Sequence, residues 1–291
     1  MQTAQDVQNR LNSARDLHSV VKTMKAMAAV SIRQYERTAR SMDRYLRTVR
    51  LGLKAVLRDG RRVRLRHVEI GKGPSGLIVF GSDQGMCGSL NEQVSALVAE
   101  NAKPSRSKAV VVGERAAGQL ADRGFAVERV FGVPASTAGI SPLMLDLLDH
   151  IRGWTEQADV SEVRLFFTRQ ESGTTTKPEE QRLLPLDRLW LKALDQDPWP
   201  GKSLPLLSTD PQKLFTELVR EYLFAALFRA TAQSLAGENA MRLASMQGAE
   251  KNIEDKLEEL QRSYQQMRQA AITSELLDIA SGFEALRPQE A

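Results

Sequence analysis

Two long stretches, one at each end of the chain, hold almost no helix breakers and carry a heptad pattern. They constrain the fold more than any other feature. From Gln2 to Arg58 there is no proline, and Gly52 is the only glycine. Apolar residues recur in alternating steps of three and four: Val7, Leu11, Ala14, Val21, Ala28, Ile32, Tyr35, Ala39, Met42, Leu46, Val49, Leu53 and Val56. This is the a/d seam of a coiled coil. It predicts a single helix on the order of 80 Å long, ending where the pattern stops around Asp59–Gly60. His18 and Lys25 occupy two seam positions. Their apolar neighbours Leu17 and Met24 suggest that the stripe shifts around the helix there. The second stretch opens at Pro211, with Asp210 as its N-cap, and meets no further proline until Pro288. Its seam runs through Leu243, Met246, Ile253, Leu257, Leu260, Tyr264, Met267 and Ala271, interrupted by Glu250. Unbroken, it spans on the order of 110 Å. Gly237 and Gly248 each cost about 1 kcal/mol relative to alanine, which predicts a bend near one of them.

A heptad seam is buried only against another seam. The simplest arrangement folds the two ends back as an antiparallel pair; a bundle or a homodimer satisfies the same pattern. Charge is compatible with pairing. Residues 1–66 hold 16 Lys/Arg against 5 Asp/Glu, whereas residues 212–291 hold 9 against 12. The basic N-terminal segment also fits a nucleic-acid contact, although no nucleic-acid motif accompanies it.

The middle of the chain alternates differently. Short apolar runs at Gly76–Phe80, Ala109–Val112, Phe125–Phe131 and Val163–Thr168 read as strands. Ser89–Asn101, Glu114–Arg123 and Ser141–Trp154 read as helices, the last capped by Ser141 with Pro142 in its first turn. The polar run Ser172–Glu180 reads as a turn or mobile loop. Arg182–Trp190 reads as a last or edge strand, because Pro185 argues against a central position. Strand–helix alternation of this kind gives a small parallel or mixed sheet. The fold class expected is therefore α/β: a long antiparallel two-helix coiled coil from the chain termini, plus a small Rossmann-like α/β domain. The expected boundaries are 1–66 for the first long helix, 67–210 for the α/β domain and 211–291 for the second long helix. With 42% hydrophobic residues, such a chain can fill a core. It has no apolar run of the roughly 20 residues needed to span a bilayer, and Met1–Arg15 lacks the apolar core of a signal peptide.

The segment Phe80–Asn91 (FGSDQGMCGSLN) follows a strand and opens a helix, where α/β sheets often hold ligands and a helix N-terminus can hold phosphate. Its spacing matches neither nucleotide fingerprint, and no lysine is near. A tight turn with glycine backbone angles explains it equally. Cys87 is the only cysteine, so no internal disulfide forms. His18, His67 and His150 supply neither a base in a recognisable signature for that thiol nor a metal ligand set. Trp154, Trp190 and Trp199 read as packing residues. No cofactor and no metal is expected. Two function classes stay open on the residues alone, an enzyme with a ligand at the Gly81–Gly88 turn and a coiled-coil scaffold or nucleic-acid adaptor with a basic N-terminal helix; a third rests on resemblance.

Three blocks narrow that choice: Val21–Ala29 (VKTMKAMAA), Glu238–Met246 (ENAMRLASM) and Arg268–Ile279 (RQAAITSELLDI). Together, and in this order, they resemble the signature blocks of the gamma subunit of F-type ATP synthases, and Gly85–Asn91 resembles that family's glycine–cysteine–glycine–asparagine block. The resemblance implies a non-catalytic rotor subunit forming the central stalk. It implies partners: three alpha and three beta subunits around the helix pair, an epsilon subunit and a membrane rotor ring of c subunits. Neither nucleic acid nor direct membrane insertion is implied. The complex would sit peripherally at the cytoplasmic face of the cell membrane. It further implies coupling contacts at Met24, Lys25, Arg242, Gln269, Thr273 and Glu275, with Met24 and Lys25 facing the region near the other four. Departures are visible. Asp16–Ser19 stands where the family has an Asn-Thr pair, Gly248–Leu260 is unusually charged, and Phe283 and Glu284 follow Gly282. They suggest a divergent branch, for which an alternate or sodium-coupled F-type enzyme is one candidate.

Overall fold

The computed structural model describes residues 4–58, 73–157, 159–196, 199, 201–203 and 206–285. The expected end of the first helix at Asp59–Gly60, the 66/67 boundary and His67 lie outside the described residues. The elements in chain order are α1 (Ala4–Arg58), β1 (Ser75–Phe80), α2 (Leu90–Asn101), β2 (Ser107–Val112), α3 (Glu114–Asp122), β3 (Ala126–Phe131), α4 (Ile140–Glu156), β4 (Glu162–Ser172), β5 (Thr175–Leu184), α5 (Arg188–Gln196) and α6 (Pro211–Ala285). The chain divides into two compact units, one of residues 1–27 with 245–291 and one of residues 28–244.

The larger unit is a five-stranded sheet of order β3-β2-β1-β4-β5. β1, β2, β3 and β4 are parallel, and β5 pairs antiparallel with β4. Parallel strands need cover on both faces, and the apolar runs of β1 and β2 are buried accordingly. On one face α2 and α3 pack Val94, Val98, Ala116 and Leu120 against Leu77, Val79, Val111 and Phe166. The other face is covered by α4 together with the two long helices. There Tyr35, Val49 and Leu53 of α1 and Phe215, Leu227 and Ala236 of α6 share one core with Ile78, Phe80, Leu165 and Met144. The result is a three-layer α/β sandwich, in which the halves of α1 and α6 that belong to this unit form part of a layer.

Gly237 is required by that packing. A Cβ there would lie 2.6 Å from the Thr168 carbonyl oxygen of β4, so α6 approaches the strand more closely than any side chain allows. α6 runs as one helix through both Gly237 and Gly248, and the glycines mark no interruption in it. Its start is as expected: Asp210 accepts a hydrogen bond from the backbone N–H of Lys213 at 3.1 Å.

Three local expectations change. The polar run after Ser172 is β5, not a loop. Thr175–Leu184 pairs with β4 along its length, and Pro178 is accommodated opposite Thr168 because β5 is an edge strand. The stretch after Pro185 turns into α5. α4 begins at Ile140 with Gly139 at its cap, so Ser141 lies inside the first turn instead of capping it.

Candidate functional site: the paired helix ends and the strand–helix turn

In the smaller unit the first turns of α1 meet the last third of α6. Val7 and Leu11 are buried with Leu260, and Ala14, Leu257, Tyr264 and Met267 pack around them. Further along, His18 Nε2 lies 3.3 Å from Glu254 Oε1, and the Lys25 ammonium is ion-paired with Glu250. Positions rising on α1 meet positions falling on α6, so the pairing is antiparallel. The stripe does not shift to Leu17, which is 57% exposed. The seam runs on through His18 and Lys25, which meet the acidic residues of the facing helix. The two interruptions answer each other: Lys25 in one seam stands against Glu250 in the other. Polar pairs at seam positions fix register at a cost in stability.

Lys25 also sets the charge behaviour of its partner, holding the Glu250 carboxyl below its ordinary value through their hydrogen bond. A carboxylate depressed in the folded state stabilises the fold above its ordinary value and loses that contribution as pH falls through the depressed one. Glu250→Gln is therefore expected to lower the melting temperature near neutral pH and to narrow the gap between neutral and acidic melts. An unchanged gap in thermal denaturation by circular dichroism would remove the ion pair from the stability of this unit.

The seam expected to reach Ala271 stops at Met267. Every residue from Arg268 to Ser281 is exposed, including the large apolar Ile272, Leu276, Leu277 and Ile279. Gln269, Thr273 and Glu275 belong to this segment. The Thr273 hydroxyl donates to the Gln269 carbonyl at 2.9 Å. Lys25 faces Glu250, and Gln269 lies on the order of 28 Å further along α6, so these two residues are not neighbours. Met24 is half-buried beside Lys25, and Val20 and Met27 on the same helix are exposed.

Arg242 belongs to the larger unit. Its guanidinium donates to Glu238 Oε1 at 2.6 Å, with both side chains nearly buried. Burial pushes the Glu238 carboxyl up, Arg242 opposes that, and the charge of Asp83 adds to it. Burial and the neighbouring Glu238 together raise Tyr35 of α1 as well. This buried carboxylate is a feature that the sequence reading missed. A glutamate one residue after a helix glycine signals burial only once the glycine's contact with β4 is known.

The Gly81–Gly88 turn is filled by its own side chains. Asn91 Oδ1 accepts from the Ser82 backbone N–H at 3.0 Å, and its Nδ2 donates to Ser82 Oγ at 2.9 Å. The buried Cys87 thiol lies 3.3 Å from that same hydroxyl. Asp83 accepts from the backbone N–H of Glu114, at the start of α3, and from that of Val133, at 3.0 and 2.7 Å. The anion at the α3 N-terminus is thus the chain's own carboxylate, whereas α2, the helix that the turn opens, has no side-chain cap. Among the described residues no basic group is within hydrogen-bond distance of Cys87 to activate it. Cys87→Ser is expected to leave folding and partner assembly within about 1 kcal/mol of the parent, read by denaturant melts and co-purification. A larger loss would restore a chemical role for the thiol.

Similarity to known proteins agrees with this geometry. A family model described as ATP synthase matches residues 3–286. The ATP synthase gamma chain of Glaesserella parasuis serovar 5 is 28% identical over 298 residues, covering 98% of this chain and 100% of the relative. That of Cyanothece sp. is 26% identical and covers 99% and 100%. Among solved structures, a chain of the Euglena gracilis mitochondrial ATP synthase (OSCP/F1/c-ring, rotational state 3) superposes with a TM-score of 0.69 at 18% identity, covering 99% of this chain and 98% of that one. A chain of the Tetrahymena thermophila mitochondrial ATP synthase central stalk and c-ring gives a TM-score of 0.54 at 17% identity, over 79% of this chain and 99% of that one. Matched over nearly its whole length by that family's model, the chain belongs to the ATP synthase family.

Proposed function

We propose that the chain is the central-stalk rotor subunit of an F-type ATP synthase, coupling ion flow through a membrane sector to ATP synthesis or hydrolysis in an alpha/beta ring. The observation that carries this reading is the bare end of α6. Four large apolar side chains between Ile272 and Ile279 are exposed on a helix that α1 no longer accompanies. Exposed apolar surface of this kind marks an interaction site, and a sheath of surrounding subunits covers it. The relatives support the assignment by name and by full-length coverage.

In this role residues 1–66 and 211–291 supply the shaft and residues 67–210 the side domain. The shaft holds no nucleotide. Its asymmetric surface favours different conformations of three beta subunits in turn, and differential contacts are the energy source of that population shift. Among the described residues no helix is long and apolar enough to cross a membrane, so attachment runs through partners. We place those as three alpha and three beta subunits, epsilon and the c-ring, at the cytoplasmic face. Met24, Lys25, Arg242, Gln269, Thr273 and Glu275 are the proposed coupling contacts.

Co-expression with alpha and beta subunits tests the reading. The chain is expected to co-purify with them in one complex with ATPase activity, and to hydrolyse no ATP alone. Failure to assemble, or ATP hydrolysis by the isolated chain, would overturn it.

A further inference from the structure

We propose that His18, Glu250 and Glu254 form a three-ligand site for a divalent transition cation, Zn²⁺ by preference, that ties α1 to α6. The inference is independent of the rotor assignment. His18 Nε2 and one carboxylate oxygen from each glutamate lie within 4.8 Å of one another. The two glutamates are four residues apart on α6, so they project from one face of the helix. The histidine comes from the opposite helix. A tetrahedral zinc ion holds nitrogen and oxygen ligands at about 2.0–2.2 Å. That spaces the three donors roughly 3.4 Å from each other; His18 and Glu254 already stand 3.3 Å apart, so a contraction of up to about 1.4 Å remains for the Glu250 oxygen. The movement falls to the Glu250 carboxylate, which Lys25 also holds, and water completes the coordination.

Two observations beyond proximity support a site. His18 and Glu250 stand at positions where both heptads call for an apolar residue, and the polar substitutions face each other across the seam. Polar seam residues weaken a coiled coil, and a register role is already served by Lys25 with Glu250. His18 with Glu254 adds a second polar layer for which pairing register offers no further use. The donor set also selects the ion. Mixed imidazole and carboxylate donors suit zinc and its neighbours, whereas Ca²⁺ and Mg²⁺ prefer all-oxygen shells. Lys25 works against the metal by occupying one Glu250 oxygen and adding a positive charge, so the site binds reversibly and not as a permanent structural element.

The test uses the full chain, free of any histidine tag, with Zn²⁺ titrated by calorimetry and Co²⁺ followed by its visible absorption. The parent chain is expected to bind one ion with a four-coordinate cobalt spectrum and a zinc-dependent rise in melting temperature. His18→Ala and Glu254→Gln should each weaken binding by at least about tenfold, because each removes one of three protein ligands. Lys25→Gln should tighten it by about threefold, because it frees the Glu250 oxygen and removes a cation. His18→Leu separates the site from the fold: it restores the apolar seam, so the metal-free melting temperature should rise while the zinc-dependent rise disappears. Absence of saturable binding by the parent, or binding that survives both His18→Ala and His18→Leu unchanged, overturns the proposal.

Discussion

Met24→Lys and Gln269→Ala, each assembled with alpha and beta subunits and the membrane sector, are expected to form normal complexes but to turn over several times more slowly and to pump fewer ions per ATP. Gln269 lies on the exposed end of α6, where its side chain contributes nothing to the helix pair. Removing a partly exposed polar contact costs about 1 kcal/mol, too little to unfold helices joined by a seam of this length. The same loss at a contact made in only one rotary state changes that state's population roughly fivefold. Met24→Lys is expected to be the worse of the two. Met24 is half-buried and flanked by exposed Val20 and Met27, and a cation at that position can hold one state too tightly. Simultaneous assays of ATP hydrolysis and ion pumping decide the matter. Full rate and full pumping per ATP in both variants would reduce these residues to ordinary helix surface.

The largest effect on stability is expected at Gly113, between β2 and α3. Its φ of +113° lies in a region closed to ordinary side chains, and a Cβ there would approach the Ser82 backbone nitrogen to 2.7 Å. Backbone strain of this type costs about 1–3 kcal/mol, and the collision with the turn adds to it. Gly113→Ala is therefore expected to destabilise the larger unit by roughly 3 kcal/mol or more, visible in urea denaturation as a lower midpoint with an unchanged slope. A loss below about 1 kcal/mol would mean that the β1–α2 turn yields readily despite the side chains that fill it.

The long helices were legible in the sequence because burial along them is one-dimensional. Nearly every apolar a/d residue named on α1, from Val7 to Val56, is buried, with Ala14 and Met42 partly so. The parallel strands were legible for a related reason: a strand covered on both faces is a continuous apolar run, as at Gly76–Phe80. β5 escaped because it is an edge strand facing solvent over much of its length, so its composition is that of a loop. The polar layers escaped for another reason. His18 and Lys25 read as defects in one seam until the facing helix is placed in register, which brings Glu254 and Glu250 opposite them. Glu238 is invisible in the same way, since its burial depends on a contact between α6 and β4 far away in sequence. The proposed coupling contacts were named by resemblance to a family. The structure gives Lys25 and Arg242 acidic partners, and leaves Gln269, Thr273 and Glu275 bare.

The embedding of α1 and α6 in the sheet layer bears on modularity. The side domain is not a detachable cartridge. An excised segment of residues 73–196 would keep α2 and α3 over one face, but on the other it would lose the cover that Leu53, Phe215 and Leu227 give to Ile78, Phe80 and Leu165. The complementary deletion would leave the helices with those same side chains in water. Grafting such a domain onto another helix pair therefore requires carrying residues 28–58 and 211–244 along with it, and the practical unit of exchange between relatives is residues 28–244.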